Sequence, residues 1–206
     1  MTKVKICGIT NLDDALAACD AGADALGFVF AEEAKARNRF IHPDDAYAII
    51  EKLPPFITTV AVVVNEPVSL LAQYLNYFDL LQFHGEETPE DIPLNHLAIK
   101  AFRVKPGFQL SDMTDFETRA WLLDAYSPTS RGGTGETMDW QFAKMAVGLG
   151  RPVILAGGLT PENVGEAVFR VRPYGVDTSG GVESAPGKKD HDKLRRFIHQ
   201  AKASLS

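Results

Sequence analysis

Pro152-Val153-Ile154-Leu155-Ala156-Gly157-Gly158-Leu159-Thr160-Pro161-Glu162-Asn163 is the stretch on which the reading of the fold turns, and Tyr174-Gly175-Val176-Asp177-Thr178-Ser179-Gly180-Gly181-Val182 echoes it. Each half is a short apolar run, which reads as a buried strand, leading straight into a glycine pair. Glycine lets backbone N–H groups come close to an anion. Thr160 suits an N-cap and Pro161 the first turn of a helix, so a helix with a partly positive N-terminus is expected to open beside the first pair. Two such turns side by side form a phosphate cradle of the kind that barrel enzymes build after their seventh and eighth strands. Ordinary strand-to-helix turns also use glycine, and that reading stands beside it.

Working outward, strand-like runs recur at Val4 to Cys7, Ala25 to Phe30, Ile57 to Val64, Leu80 to His84, Leu97 to Phe102, Ala120 to Asp124, Pro152 to Ala156 and Tyr174 to Thr178. Helical patterning lies between them at Asn11 to Ala21, Pro43 to Leu53, Pro67 to Tyr77, Asp139 to Val147 and Pro161 to Val171, with weaker segments at Thr88 to Leu94 and Leu110 to Arg119. Leu194, Phe197, Ile198 and Ala201 mark a closing amphipathic helix. Eight strands alternating with helices can form a closed barrel or a long doubly wound sheet, and a chain near the lower size limit of barrels favours a single-domain (β/α)8 barrel with short loops over residues 1–206. Gly132-Gly133-Thr134-Gly135 lacks the strand and the Gly-Lys-Ser/Thr ending of a nucleotide loop and reads as a mobile loop over the site.

The bulk properties bound the function. With 206 residues, 45% hydrophobic and 23% charged, the chain has the composition of an ordinary globular domain. A formal charge of -6 and a pI of about 5.4 argue against a nucleic acid or an anionic membrane as partner and favour a small molecule. Cys7 and Cys19 cannot make a disulfide framework, the first residues are strand-like, and a cytoplasmic location is expected. His42, His96, His191 and His199 show no metal-ligand spacing with cysteine or carboxylates, so no metal is expected.

In a barrel the reacting groups sit at the C-terminal ends of the strands. Alternation along Lys3-Val4-Lys5-Ile6-Cys7-Gly8 turns Val4 and Ile6 toward the helices and Lys5 and Cys7 inward. A cation two residues from the thiol would favour the thiolate, whereas a buried cysteine is equally a small core residue. Ala120-Trp121-Leu122-Leu123-Asp124 ends an apolar run on a carboxylate, which partial burial would turn into a usable general acid, or which caps a helix. Gln82-Phe83-His84-Gly85 sets Gln82 and His84 on one side, so His84 lines the same mouth or is structural.

Lys5-Ile6-Cys7-Gly8-Ile9-Thr10, Gly22-Ala23-Asp24-Ala25-Leu26-Gly27-Phe28, Gln82-Phe83-His84-Gly85, Leu122-Leu123-Asp124, Gly132-Gly133-Thr134-Gly135, Asp139-Trp140, Ala156-Gly157-Gly158-Leu159 and Pro186-Gly187-Lys188-Lys189-Asp190 together resemble the phosphoribosylanthranilate isomerases of tryptophan biosynthesis. The resemblance spans nearly the whole chain. It implies a cofactor-free barrel, monomeric or homodimeric, that converts N-(5-phosphoribosyl)anthranilate to 1-(2-carboxyphenylamino)-1-deoxyribulose 5-phosphate by an Amadori rearrangement. Cys7 is then the general base and Asp124 the general acid, while Gly157, Gly158, Ser179 and Gly180 hold the phosphate. His84 and Asp177 face the rest of the substrate, and Arg39 takes its aromatic carboxylate, because Arg39-Phe40-Ile41 keeps the family's arginine, aromatic, aliphatic order; Arg37, followed by Asn38, keeps it less well. The chain departs from the family pattern at Gly180, where a second serine is usual, and in the longer run from Phe30 to Ile41. The rival readings are the histidine-pathway sugar isomerase or a bifunctional enzyme, which carry aspartate in place of Cys7 on a longer, twofold-repeated chain, and a non-catalytic phosphosugar-binding barrel, against which the presence of both Cys7 and Asp124 argues.

Overall fold

Eight parallel strands pair each with the next and the last with the first, closing the sheet into a barrel. The computed structural model describes residues 1–93, 95–125 and 140–203. The strands are β1 (Lys3–Cys7), β2 (Ala25–Val29), β3 (Thr58–Val63), β4 (Leu80–Phe83), β5 (Ala98–Val104), β6 (Ala120–Ala125), β7 (Val153–Leu155) and β8 (Gly175–Thr178). Helices α1 (Leu12–Asp20), α2 (Pro43–Ile50), α3 (Val68–Tyr74), α4 (Ser111–Thr114), α5 (Trp140–Val147), α6 (Val164–Val171) and α7 (His191–Ala203) cover the outside. Among the described residues no helix is long and apolar enough to cross a membrane.

Alternation along the strands divides the apolar side chains into two cores. Val4, Ile6, Leu26, Phe28, Leu81, Phe83, Leu123, Leu155 and Val176 point outward beneath the helices. Val60, Ile99, Ala101, Ala120, Leu122, Ile154 and Ala156 fill the inside. Short side chains predominate inside the barrel, which leaves its upper end open to the polar groups of β1, β4, β6 and β8.

Three expected helices differ from their sequence patterns, the first and the last for a local reason. Pro89 and Pro93 deprive the Thr88 to Leu94 segment of backbone donors, and only a 3₁₀ turn over Pro89–Asp91 forms, closed by a capping box between Thr88 and Asp91; Leu94 lies outside the described residues. The Leu110 to Arg119 segment is helical only over Ser111–Thr114. The helix expected from Pro161 begins at Val164, because Asn163 binds the chain before it: its Oδ1 accepts the Thr160 N–H at 2.8 Å and its Nδ2 donates to the Gly158 carbonyl at 2.9 Å.

After β8 the chain makes a 3₁₀ turn (Gly180–Val182) and a small antiparallel hairpin, β9 (Glu183–Ala185) with β10 (Lys188–Lys189), before entering α7. Sequence patterning did not indicate this hairpin, whose strands are too short to show alternation. Gly187 at its turn has φ +80°, and a Cβ there would lie 1.9 Å from the Asn38 carbonyl oxygen, so the hairpin packs directly on the loop after β2. Asp14, in the first turn of α1, fastens the far end. It accepts hydrogen bonds from the Lys189 N–H at 2.9 Å and Asn11 Nδ2 at 2.9 Å and lies 2.8 Å from His191 Nε2.

Burial pushes the Asp14 carboxyl up, but the Lys189 N–H, His191 and Asn11 outweigh it and hold the group below its ordinary value. A carboxylate depressed in the folded state contributes stability above its unfolded pKa, and that contribution disappears as pH falls through the folded value. Asp14→Asn should therefore lower stability at neutral pH, and the gap from wild type should narrow on acidification, as read from urea midpoints between neutral and acid pH. A gap independent of pH would mean that the carboxylate's charge contributes nothing to the fastening.

Candidate active site

The upper mouth of the barrel opens into a cavity of about 700 Å³, reached by side chains or backbone from β1, β2, β3, β4, β6, β7 and β8 or the loops that follow them. Every residue singled out from the sequence as a site residue lines it: Cys7, Arg39, His84, Asp124, Gly157, Gly158, Asp177, Ser179 and Gly180, as does Arg37. The Gly132 to Gly135 run lies outside the described residues.

Below the mouth, Lys5 and Asp177 face each other across the seam between β1 and β8 with Nζ and Oδ1 2.9 Å apart, both side chains at or below 10% exposure. Charges so deeply buried persist only as a pair. Gly27 on β2 makes room for them: a Cβ there would stand 2.8 Å from Cys7 Sγ and 3.0 Å from Lys5 Nζ. Lys5 pulls the Cys7 thiol down as expected, but it does not set the net direction. Burial pushes the thiol above its ordinary value; Lys5 opposes the shift, Asp177 adds to it, and Lys189 opposes it again. Asp177, 2.9 Å from the Lys5 ammonium, works against that cation at sulfur, and burial outweighs both. For Lys5 itself, burial pulls the ammonium down while Asp177 and then Cys7 push it up, and the net direction is upward.

Asp124, near the end of β6, is 5% exposed, and its Oδ2 lies 3.4 Å from His84 Nε2. On the other side of that ring, Nδ1 is 3.1 Å from Gln82 Nε2. The loop carrying His84 is anchored from the outer face of β5: Lys100 Nζ donates to the Gly85 carbonyl at 2.8 Å and pairs with Glu87 at 2.7 Å, while Glu87 accepts the Gly85 and Asn65 N–H groups.

The two glycine turns meet. Gly157 and Gly158 both lie in the left-handed region, at φ 81° and 66°, where a side chain would be strained. Gly181 is packed so closely that a Cβ would fall 1.9 Å from the Leu159 carbonyl oxygen, and Thr178 Oγ1 donates to the same oxygen at 2.9 Å. The N–H groups of Gly158, Gly180 and Gly181 meet no acceptor among the described residues, which leaves them available to an anion. The Ser179 hydroxyl is directed elsewhere, donating to Glu183 at 3.3 Å, so in this arrangement the cradle is formed by backbone.

Arg39 binds Glu183 in a two-pronged pair, Nε to Oε1 at 2.9 Å and Nη2 to Oε2 at 2.8 Å. Glu183 also takes Lys189 Nζ at 3.1 Å, and although burial pushes the Glu183 carboxyl up, Arg39 and Lys189 together bring it below its ordinary range. Lys189 is fully enclosed and donates to the Cys7 carbonyl at 2.7 Å, so it joins the end of β1 to the loop after β8. Sequence reasoning did not select Lys189, Glu183 or Gln82 as site residues. For Lys189 the one available signal was its place in the Pro-Gly-Lys-Lys-Asp run.

A family model described as N-(5'phosphoribosyl)anthranilate (PRA) isomerase matches residues 4–200. An N-(5'-phosphoribosyl)anthranilate isomerase of Pelobacter propionicus is 51% identical over 209 residues, covering 100% of this chain and 98% of that one. The crystal structure of phosphoribosyl anthranilate isomerase from Thermotoga maritima superposes with a TM-score of 0.89 at 44% identity, covering 98% of this chain and 99% of the other. A phosphoribosyl anthranilate isomerase solved in complex with reduced 1-(o-carboxyphenylamino)-1-deoxyribulose 5-phosphate superposes with a TM-score of 0.81 at 41% identity, covering 98% and 99%.

The inner pair makes two opposed predictions for the thiol. Lys5→Met removes the cation and leaves Asp177 buried alone, so alkylation of Cys7 should titrate at higher pH and stability should fall by about 3–5 kcal/mol. Asp177→Asn removes the carboxylate that pushes the thiol up, so the alkylation curve should move to lower pH. Iodoacetamide rates against pH, with Cys19 replaced by alanine, measure both, and shifts in the same direction would disprove the electrostatic account.

Proposed function

The chain belongs to the N-(5'-phosphoribosyl)anthranilate isomerase family, and from that premise we propose that Asp124 and Cys7 are the acid and the base of its isomerisation of a phosphosugar amine. Asp124 protonates the furanose ring oxygen, the ring opens, and C1 becomes a protonated Schiff base with the anthranilate nitrogen. Cys7, as thiolate, then removes the proton from C2. Electrons of the C2–H bond move into a C1–C2 double bond and neutralise the nitrogen. The resulting enolamine loses its C2 hydroxyl proton and gains one at C1 to give the ketone, and the proton held by sulfur returns to Asp124 through solvent. Proton transfer by positioned side chains is all that this sequence requires.

The observation that carries this reading is that the thiol and the carboxylate, on β1 and β6, open on one cavity beside two glycine turns whose N–H groups meet no acceptor among the described residues. Phosphate fits those donors, and the ribosyl part then extends toward Asp177, His84 and Asp124. At the far side Arg39 receives the aromatic carboxylate. Its Nε and Nη2 edge already holds Glu183, so the guanidinium is held in orientation and Nη1 is the nitrogen left for substrate. Burial of the resting thiol implies that the active form grows with rising pH, and an approaching iminium ion would favour the thiolate at the moment it is needed.

The decisive test follows the loss of phosphoribosylanthranilate fluorescence on adding purified protein. Cys7→Ser and Asp124→Asn should each reduce kcat by about a hundredfold to ten-thousandfold while product affinity survives, and either variant retaining more than about half of the rate would refute its assigned role. Arg39→Ala should raise KM by roughly tenfold to a hundredfold, the value of a charge-assisted pair, whereas Arg37→Ala should change it little. Equal and small effects from the two arginines would move the carboxylate site to another cation at the mouth.

A further inference from the structure

We infer that Gln82 is a positioning residue with two working faces: its amide N–H holds His84 in the tautomer whose single N–H meets Asp124, and its amide oxygen receives a ribosyl hydroxyl. The inference rests on the role of Asp124 proposed above. Gln82 lies inside the barrel on β4, lines the cavity, and is 1% exposed. Its Nε2 is 3.1 Å from His84 Nδ1. An amide nitrogen can only donate, so Nδ1 must present its lone pair, and a neutral imidazole then carries its proton on Nε2. That nitrogen is the one 3.4 Å from Asp124 Oδ2.

The opposite amide orientation would fail at the other end of the ring. With the Gln82 oxygen accepting from Nδ1–H, the Nε2 lone pair would face Asp124 once that acid has given its proton to the sugar, two acceptors with no proton between them. The chain of contacts from Gln82 through His84 to Asp124 is therefore self-consistent in one direction when Asp124 is ionised, which is the state it enters on giving its proton to the sugar. His84 then supplies a donor to the conjugate base and lowers the cost of that step.

The second face follows from what Gln82 lacks. Its Oε1 is buried and has no hydrogen-bond partner among the described residues. A buried acceptor left unpaired is unfavourable, and this one belongs to a side chain lining the substrate cavity, so a donor on the substrate satisfies it. The sugar offers hydroxyl groups, and the phosphate cradle and Asp124 fix its two ends.

The resting protein tests the first face without turnover. In ¹⁵N-histidine-labelled wild type at neutral pH, with His84 assigned by the resonances lost in His84→Gln, Nδ1 should give the pyridine-type shift and Nε2 the pyrrole-type shift. The reverse pattern, or a fast-exchanging average, would overturn the tautomer assignment whatever Cys7 and Asp124 do. Kinetics test both faces together. Gln82→Glu keeps an acceptor but cannot donate when ionised, so the His84 nitrogen pattern should change and kcat fall by about tenfold to a hundredfold with KM within about twofold. Gln82→Met loses both faces, and KM should rise by about tenfold as well. A folded Gln82→Met enzyme with wild-type kcat and KM would refute both roles.

Discussion

A lysine ammonium inside a small barrel is costly to desolvate, and much of this structure follows from how Lys5 is accommodated. Its counter-charge, Asp177, stands at the same level on β8, so the ion pair spans the seam at which the barrel closes. Space for the two inward side chains of β1 comes from Gly27 on the neighbouring strand, which lacks a Cβ where sulfur and ammonium must lie. The same pair fixes the electrostatic setting of Cys7. Burial outweighs the pull of Lys5, which Asp177 opposes, so the resting thiol lies above its ordinary value. Such a site limits adventitious reaction of the sulfur between turnovers.

What the sequence could reveal follows the range of the interactions concerned. The strands were legible because each is a short apolar run bounded by polar residues or glycine, and Val4 and Ile6 did turn outward as alternation requires. Cys7, Asp124 and the glycine pairs were legible because they interrupt or end those runs. Helix lengths were less so: Asn163 moves the start of α6 through side-chain bonds to Gly158 and Thr160 that hydrophobic periodicity does not register. The net direction at Cys7 was misread for a similar reason: Lys5, two residues away, is visible in the sequence, whereas the enclosure that pushes the thiol up is not, and Asp177, which adds to that push, comes from the far end of the chain. Glu183 and Lys189 share that difficulty, as their partners Arg39 and Cys7 lie 144 and 182 residues distant.

The small hairpin after β8 carries more of the site than its size indicates. Through Glu183 it orients Arg39, through Lys189 it binds the end of β1 and the Ser179 loop, and through Gly187 it rests on Asn38 and accepts a hydrogen bond from Thr10. Its other edge is fixed to α1 by Asp14. Loops that emerge from β1, β2 and β8 are thus referred to one short segment, and a displacement there would shift Cys7, Arg39 and the Ser179 turn together.

The Cys7 carbonyl waits 182 residues of chain for the Lys189 ammonium that binds it. On a ribosome, synthesis runs from the N-terminus, so β1 leaves the exit tunnel carrying Lys5 with no counter-ion and remains so while most of the barrel is made. Partial barrels ending before β8 have an unpaired edge at β1 and an uncompensated cation facing their interior, a combination that disfavours premature closure. The nascent chain therefore closes this cavity only once β8 and the hairpin after it have been made, and the Cys7 thiol is enclosed in that same event.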